Sequence, residues 1–428
     1  MNRNKISISA SWIMIGRAVQ LLLTFLCTMY VSRYLGPNDY GRMTYVYSYI
    51  QLFLPLCTLG MNDIIVKELV DDPENNDKIL GTTIGLRLFS SLISMILSVL
   101  LVMALNENDG IYRTIAILQS FALLFQSFDT IAYFYQSKLL SKTVGIVYVF
   151  AYGASSIFRM IGILMKRTVS WFAFSMSFDY LMIAVLFVIA YLHGGNRFRF
   201  SFSTAKKLLS KSVYYIFAGL LIVIYGKVTE ILFLGKMVSD ADVGYYAAAT
   251  TLCNAWPFIL TAIIDSMAPV IIETYQKDLY RFEKKMRQLY AIVFYISVIA
   301  AIGIDLIAKQ AIDIAYGIRY LPAVTPMRIY AWSTAFSYIG VARAIWMQCE
   351  KKTNLEVTIS LFGAVANILL NYILIRSYGT TGAAIAAVVT QLFTNFVLLF
   401  VMKGTRRNAK LILEGILLRD VFEKREGR

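Results

Sequence analysis

Apolar runs of bilayer length alternate with short polar connections along almost the whole chain. They cover residues 10–32, 42–66, 80–105, 111–135, 144–165, 169–192, 212–235, 244–272, 288–308, 322–348, 355–375 and 380–402. Each reaches the roughly 20 residues that a helix needs to cross about 30 Å of hydrocarbon. Backbone polar groups have no water partners at that depth, so helices are the expected form, and the runs are too long for barrel strands. The pattern predicts an all-α polytopic membrane protein with twelve transmembrane helices. The first run lacks a small-residue cleavage site and continues to full spanning length, so it reads as a span and not as a cleaved signal peptide.

The connection between the sixth and seventh runs, from His193 to Lys211, is polar and basic and reads as a linker between two six-helix halves. The expected organisation is a bundle over 1–196, a linker over 197–211, a second bundle over 212–403 and a basic amphipathic tail over 404–428. The halves look related. Leu35-Gly36 closes the first span and Gly41 opens the second; Leu234-Gly235 closes the seventh and Gly244 opens the eighth. Six spans per half give a parallel repeat, whose expected site lies between the halves. Pro55, Pro257 and Pro269 should bend or break spans two and eight, whereas Pro322 and Pro326 fall in the first turn of span ten, where proline is tolerated. In the tail, Leu411, Ile412, Ile416, Leu417 and Val421 alternate with basic residues, a pattern for a helix lying on a membrane surface.

Composition supports this reading. The 428 residues are 58% hydrophobic and only 16% charged, with a mean hydropathy of +0.63; soluble domains carry about a quarter charged residues. The net charge of +15 is distributed unevenly. Most Lys and Arg lie in the first tail, in every second connection and in the last tail, with clusters at Arg197 to Lys211, at Lys277 to Arg287 and from Lys403 onward. By the positive-inside rule that side is cytoplasmic and both termini lie on it. The excess charge then marks topology and attraction to anionic lipid, with no nucleic-acid partner. The four cysteines fall within spans at unrelated spacings and read as buried, inert thiols.

Charges inside the apolar runs are costly and call for a reason. Asp129, Arg159, Asp265, Asp305 and Arg328 fall near span ends, where they can reach the interface. Arg17, Arg87, Asp179, Lys227, Glu230 and Arg343 lie deeper. Lys227 and Glu230 are three residues apart on one helical face, so mutual neutralisation and a functional role both fit. Arg17 has no acidic neighbour in its own span, and a guanidinium offers several donors to a phosphate. Arg17, Arg87, Lys227 and Arg343 are the candidate substrate-binding residues; Glu230 and Asp179 are the candidates for coupling to an ion. No P-loop occurs. His193 is the sole histidine and sits at a helix end, which excludes a His-based triad or metal cluster. No cofactor is expected.

Several stretches resemble one family. Ser32-Arg33-Tyr34-Leu35-Gly36-Pro37 followed by Tyr40-Gly41 is similar to the opening signature of the bacterial polysaccharide repeat-unit flippases (Wzx-like). These belong to the multidrug/oligosaccharidyl-lipid/polysaccharide (MOP) exporter superfamily. Ala366-Asn367-Ile368-Leu369-Leu370-Asn371 and Tyr378-Gly379-Thr380-Thr381-Gly382-Ala383-Ala384-Ile385-Ala386 resemble its penultimate hairpin, and Leu234-Gly235 to Gly244-Tyr245 its mid-chain repeat.

The resemblance implies two six-helix bundles in a V, as in MATE transporters, opening alternately to each side. It implies a substrate too: an undecaprenyl-diphosphate-linked oligosaccharide, moved from the inner to the outer leaflet of the bacterial cytoplasmic membrane for surface polysaccharide synthesis. Arg17 matches a basic residue that relatives carry in the lumen, and Glu230 stands where many carry an aspartate. Na+ or H+ as counter-ion, and polysaccharide polymerase or assembly proteins, are the further expected partners. A cation-coupled multidrug exporter of the same superfamily is the competing function. An enzyme of polysaccharide polymerisation would need a sizeable external loop, and the chain has none.

Overall fold

A computed structural model describes residues 3–106, 109–226 and 228–419. It is all-helical, with no strand among the described residues. The helices are α1 (Arg3–Leu52), α2 (Leu54–Thr58), α3 (Asn62–Asp71), α4 (Asn76–Leu105), α5 (Gly110–Gln126), α6 (Thr130–Ser137), α7 (Ser141–Leu164), α8 (Val169–His193) and α9 (Phe202–Tyr225). They continue as α10 (Val228–Met237), α11 (Asp240–Cys253), α12 (Phe258–Lys277), α13 (Leu279–Tyr316), α14 (Val324–Ala331), α15 (Ser333–Cys349), α16 (Thr353–Leu392), α17 (Leu398–Val401) and α18 (Arg406–Ile416). The chain forms two compact units, Met1–Val223 and Ile224–Arg428, so the division falls inside α9, downstream of the basic linker expected at 197–211.

Among the described residues eight helices are long and apolar enough to cross a membrane. The helix α4 shows why the solvent for these faces is lipid. Arg87, Ser90, Ser91, Ser94 and Ser98 are buried, while Phe89, Leu92, Ile93, Ile96, Leu97 and Leu100 are exposed. Polar atoms face inward and hydrocarbon faces outward, the reverse of a helix on a water-soluble protein. The protein is a multi-pass membrane protein.

Two expected spans often form one continuous run of helix. The helix α1 carries residues of both the first and second runs, with a break at Gly36 (φ 79°, ψ 173°). The helix α16 does the same with the last two, breaking at Gly379 (φ 54°, ψ −130°). That φ is in the region only glycine enters readily. Conversely, several expected spans are interrupted. The second stops at Phe53 and resumes with Pro55 in the first turn of α2, before Leu59 and Gly60 turn left-handed. The fourth is interrupted by a 3-10 turn at Ser127–Asp129. The eighth breaks between Cys253 and Phe258, with Pro257 at the break and Pro269 accommodated inside α12. The tenth breaks at Trp332, after Pro322 and Pro326 in its opening turns.

In unit 1, α1 packs on α7, α5 on α8, and α4 on α5. Gly16 and Gly145 meet at the first of these crossings, where a Cβ on Gly16 would stand 2.9 Å from the Gly145 Cα. In unit 2, α13 packs on α15 and α18, and α16 on α10, α14 and α15. The tail helix α18 buries Asn408, Ala409, Leu411, Ile412 and Gly415. Leu411 and Ile412 are thus covered by protein while Leu417 stays exposed and Val421 lies outside the described residues; Arg287 of α13 pairs with Glu414, and Arg407 pairs with Glu283. Part of the amphipathic pattern expected to lie on lipid, Leu411 and Ile412, docks on protein, with α18 packed on α13. Cys27, Cys57 and Cys253 are buried free thiols and Cys349 is half-buried.

Candidate functional site

The breaks in the helices of unit 2 converge on a polar cavity of about 100 Å³. Gly226 at the end of α9, Asn254 at the end of α11 and Ser333 at the start of α15 all line it, and each adjoins an interruption. A broken helix exposes peptide groups that lack an i→i+4 partner, which is how a membrane protein builds a polar site at depth. The remaining wall includes Glu230, Thr334, Ser337, Asn367 and Gln391. Glu230 is 3% exposed. Its Oε1 accepts from Asn367 Nδ2 at 3.0 Å, and Asn367 Oδ1 in turn accepts from Asn371 Nδ2 at 3.0 Å.

The volume and the lining limit the occupant. About 10–15 Å³ of such space holds one water, so the cavity takes about seven to ten waters or a small hydrated ion, less than the usual volume of a site for a drug-sized ligand. Its donors are oxygen atoms of carboxylate, hydroxyl and amide groups, which suit hard cations. Glu230 is the one formally charged residue among the described lining residues. No group of three or more His, Cys, Asp or Glu residues suited to a metal ion occurs among the described residues.

Unit 1 holds a different arrangement around Arg87, which is 3% exposed. Its Nη1 donates to Thr130 Oγ1 at 2.9 Å and its Nη2 to Asn62 Oδ1 at 2.7 Å. Asn62 opens α3 and Thr130 opens α6, so this guanidinium also sits where helices restart. Nearby, Ser91 connects Cys57, at 2.7 Å, to Ser127, at 3.0 Å. Arg87 is therefore hydrogen-bonded to neutral oxygen atoms.

The other expected residues are dispersed. Asp179 pairs with Arg159 between α7 and α8. Arg159 was expected to reach the interface; it is 7% exposed and buried, because it sits on the inward face of its helix. Arg343 is 2% exposed; it donates to Glu356 Oε1 at 2.8 Å and to Asn395 Oδ1 at 2.9 Å. Its charge is answered by a carboxylate. Lys227 lies outside the described residues, as does the side chain of Arg17. Sequence reasoning overlooked Asn254, Ser333, Thr334, Ser337 and Gln391 as wall residues, since none is charged. The signal that existed was Pro257, three residues after Asn254.

The model of the family described as "Polysaccharide biosynthesis protein" matches residues 30–325. The chain belongs to the polysaccharide biosynthesis protein family. A relative over its whole length is the "Putative O-antigen transporter" of Escherichia coli (strain K12), 21% identical over 436 residues, covering 96% of this chain and 100% of that one. The fold is that of MOP-superfamily transporters. An inward-facing multidrug resistance MATE family transporter aligns with a TM-score of 0.72 at 13% identity, covering 94% of this chain and 99% of that one. The inward closed conformation of the lipid II flippase MurJ aligns at 0.71 and 14% identity, covering 96% and 90%. The resemblance to Wzx-like flippases seen in the residues is borne out by the family and its relatives.

Proposed function

We propose that this protein is a flippase that carries undecaprenyl-diphosphate-linked oligosaccharide from the inner to the outer leaflet of the cytoplasmic membrane by alternating access. The observation that carries the reading is the end-to-end correspondence with a relative named for O-antigen transport, inside a polysaccharide biosynthesis family. A sugar diphosphate cannot enter hydrocarbon unaided, whereas its polyprenyl chain can remain in lipid. Arg87, whose hydrogen-bond acceptors Thr130 and Asn62 are neutral, is the described cation assigned to the diphosphate, and Arg17 and Lys227 join it in this proposal. Arg343 is engaged by Glu356 and is left to structure. The Glu230 cavity takes the coupling ion in this reading, because its size and its oxygen-rich wall suit a small cation. Asp179, already answered by Arg159, is the weaker candidate for coupling. Both termini face the cytoplasm in this reading.

Deleting the gene should remove the surface polysaccharide and leave its lipid-linked precursor on the cytoplasmic side. Undiminished export in the deletion strain would overturn the proposal. Arg87→Gln and Glu230→Gln should each restore little export at normal protein levels. A second reading, a cation-coupled multidrug exporter, draws on the MATE alignment. It predicts drug hypersensitivity on deletion with intact surface polysaccharide, the opposite phenotype.

A further inference from the structure

The connection between α8 and α9 is fastened along one side of α4. Gly195, at φ 76°, turns the chain out of α8, and residues 196–201 form no helix. Their backbone is tied to the first turns of α4. The Arg197 amide donates to Asp77 Oδ2 at 3.3 Å, the Arg199 amide to the Asp77 carbonyl at 3.2 Å, and the Ser201 amide to Thr82 Oγ1 at 3.0 Å. The Tyr191 hydroxyl donates to Asp77 Oδ1 at 2.6 Å, and its ring stacks on Phe198 with centroids 4.7 Å apart. Two glycines permit the approach. A Cβ on Gly81 would stand 2.5 Å from the Arg199 backbone N and O, and one on Gly85 would stand 3.1 Å from the Phe200 ring.

The place of this strap along α4 decides what it meets. Gly81, Gly85, Phe89, Leu92 and Ile96 recur at helical spacing and share one face. Phe89, Leu92 and Ile96 are the exposed, lipid-facing residues of that face, and the strap covers the glycines that precede them. It therefore lies where the hydrocarbon ends, at the depth of lipid headgroups. Phe200 is 52% exposed and Phe202 84%. Arg197 and Arg199 are exposed too, and neither guanidinium has an ion pair or hydrogen bond among the described residues. Two acidic groups of this region are already engaged: Asp77 by Tyr191 and the Arg197 amide, and Glu68 by Lys207 and Lys211. Unanswered guanidinium groups beside exposed rings, at the edge of the hydrocarbon, complement a lipid with an anionic head.

We propose that Arg197 to Phe202 form a fixed docking site for an anionic phospholipid of the surrounding bilayer. Arg197 and Arg199 take its phosphate, and Phe200 and Phe202 lie against its acyl chains. The backbone bonds and the two glycines set the cations in place before the lipid arrives, which a diffuse positive surface does not require. The site uses only the lipid-facing side of unit 1, so it is independent of what the protein transports.

The test uses the purified full-length protein in detergent, titrated with phosphatidylglycerol and, as control, phosphatidylcholine. Native mass spectrometry counts bound lipid, and the lipid-dependent rise in melting temperature gives a second reading. Wild type should prefer phosphatidylglycerol. Arg197→Gln with Arg199→Gln should weaken that binding roughly tenfold. Lys403→Gln with Arg419→Gln removes the same charge from the tail and should leave it unchanged. Gly81→Ala keeps every charge but displaces the strap, and binding should weaken again. If Gly81→Ala does not fold, Phe200→Ser with Phe202→Ser takes its place, since both rings are exposed, and should weaken binding as well. Equal losses in the strap and tail variants reduce the effect to net charge and overturn the proposal. So does binding indifferent to Arg197 and Arg199, full affinity in the variant that displaces the strap or removes its rings, or a wild type that binds both lipids alike. Undecaprenyl diphosphate is the competing phosphate-bearing lipid. If it displaces phosphatidylglycerol at a lower concentration than phosphatidylglycerol itself requires, and loses that advantage in Arg197→Gln with Arg199→Gln, the site belongs to the cargo and the phospholipid assignment fails.

Discussion

Arg159 of α7 holds Asp179 of α8 inside unit 1, with the two side chains only 9% and 13% exposed. The guanidinium also donates to Ser175 Oγ at 3.1 Å, so three groups tie the two helices together. Removing one member of such a pair leaves the other charge buried. Asp179→Leu should therefore cost about 3–5 kcal/mol, whereas Arg159→Met with Asp179→Leu should recover most of it. Thermal unfolding in detergent reads both. The double variant also separates roles: if it folds and exports polysaccharide, Asp179 does not couple the ion.

Gly382 lies against the chain that precedes it. A Cβ at this position would stand 2.0 Å from the Leu374 carbonyl oxygen, eight residues back, so the helix reverses at Gly379 and its two limbs touch. Gly382→Ala should force the limbs apart and destabilise the protein by about 1–3 kcal/mol, the usual range for overpacking. Gly379→Ala should also destabilise, through its positive φ. The melting temperatures of the two variants test this, with Gly303→Ala as control, because nothing lies within 4 Å of a Cβ there.

Glu68 in unit 1 accepts from both Lys207 and Lys211 of α9. Burial pushes its carboxyl up, but the two ammonium groups outweigh that and hold it below the usual carboxylate range. A carboxyl depressed in the folded state stabilises the fold above its unfolded pKa, about 4.3, and that contribution is lost as pH falls through the lower folded value. Wild-type stability should therefore fall more steeply than that of Glu68→Gln below about pH 4.3. Melting temperature against pH checks the sign. Salt should shrink the difference, because both lysines are about half exposed.

Arg343 of unit 2 has Glu356 and Asn395 as partners. Arg343→Met removes charge-assisted bonds and should cost roughly 1–3 kcal/mol. Glu356 is 37% exposed and can turn to water, so the loss stays below that of a fully enclosed pair. Arg343→Lys keeps the charge without the fork and should recover only part of it. Chemical denaturation of the three proteins provides the comparison.

The all-helical, membrane-crossing character was legible because a bilayer imposes length and hydropathy on a crossing helix, whatever the rest of the chain does. The breaks at Pro55 and Pro257 were legible for the same kind of reason, since proline lacks an amide donor. The interruptions at Trp332, at Ser127–Asp129 and at Gly226 carry no proline, and tertiary packing produces them. Arg159 looked interfacial because sequence position gives depth along a helix but not the face. Glu230 was found through its charge, whereas Gln391, Asn395 and Ser333 are uncharged polar residues, and nothing local distinguishes them from the many buried serines and threonines of this chain. The tail's amphipathic period was read correctly, but a period does not say whether lipid or protein covers the apolar side.

The fourteen residues of α11 extend about 21 Å, short of the hydrocarbon thickness. The carbonyl groups at its closing end, beside Asn254, have no next turn to meet and depend on neighbouring helices or water for partners. The interruption that opens the polar cavity therefore also ties this helix to the packing of unit 2.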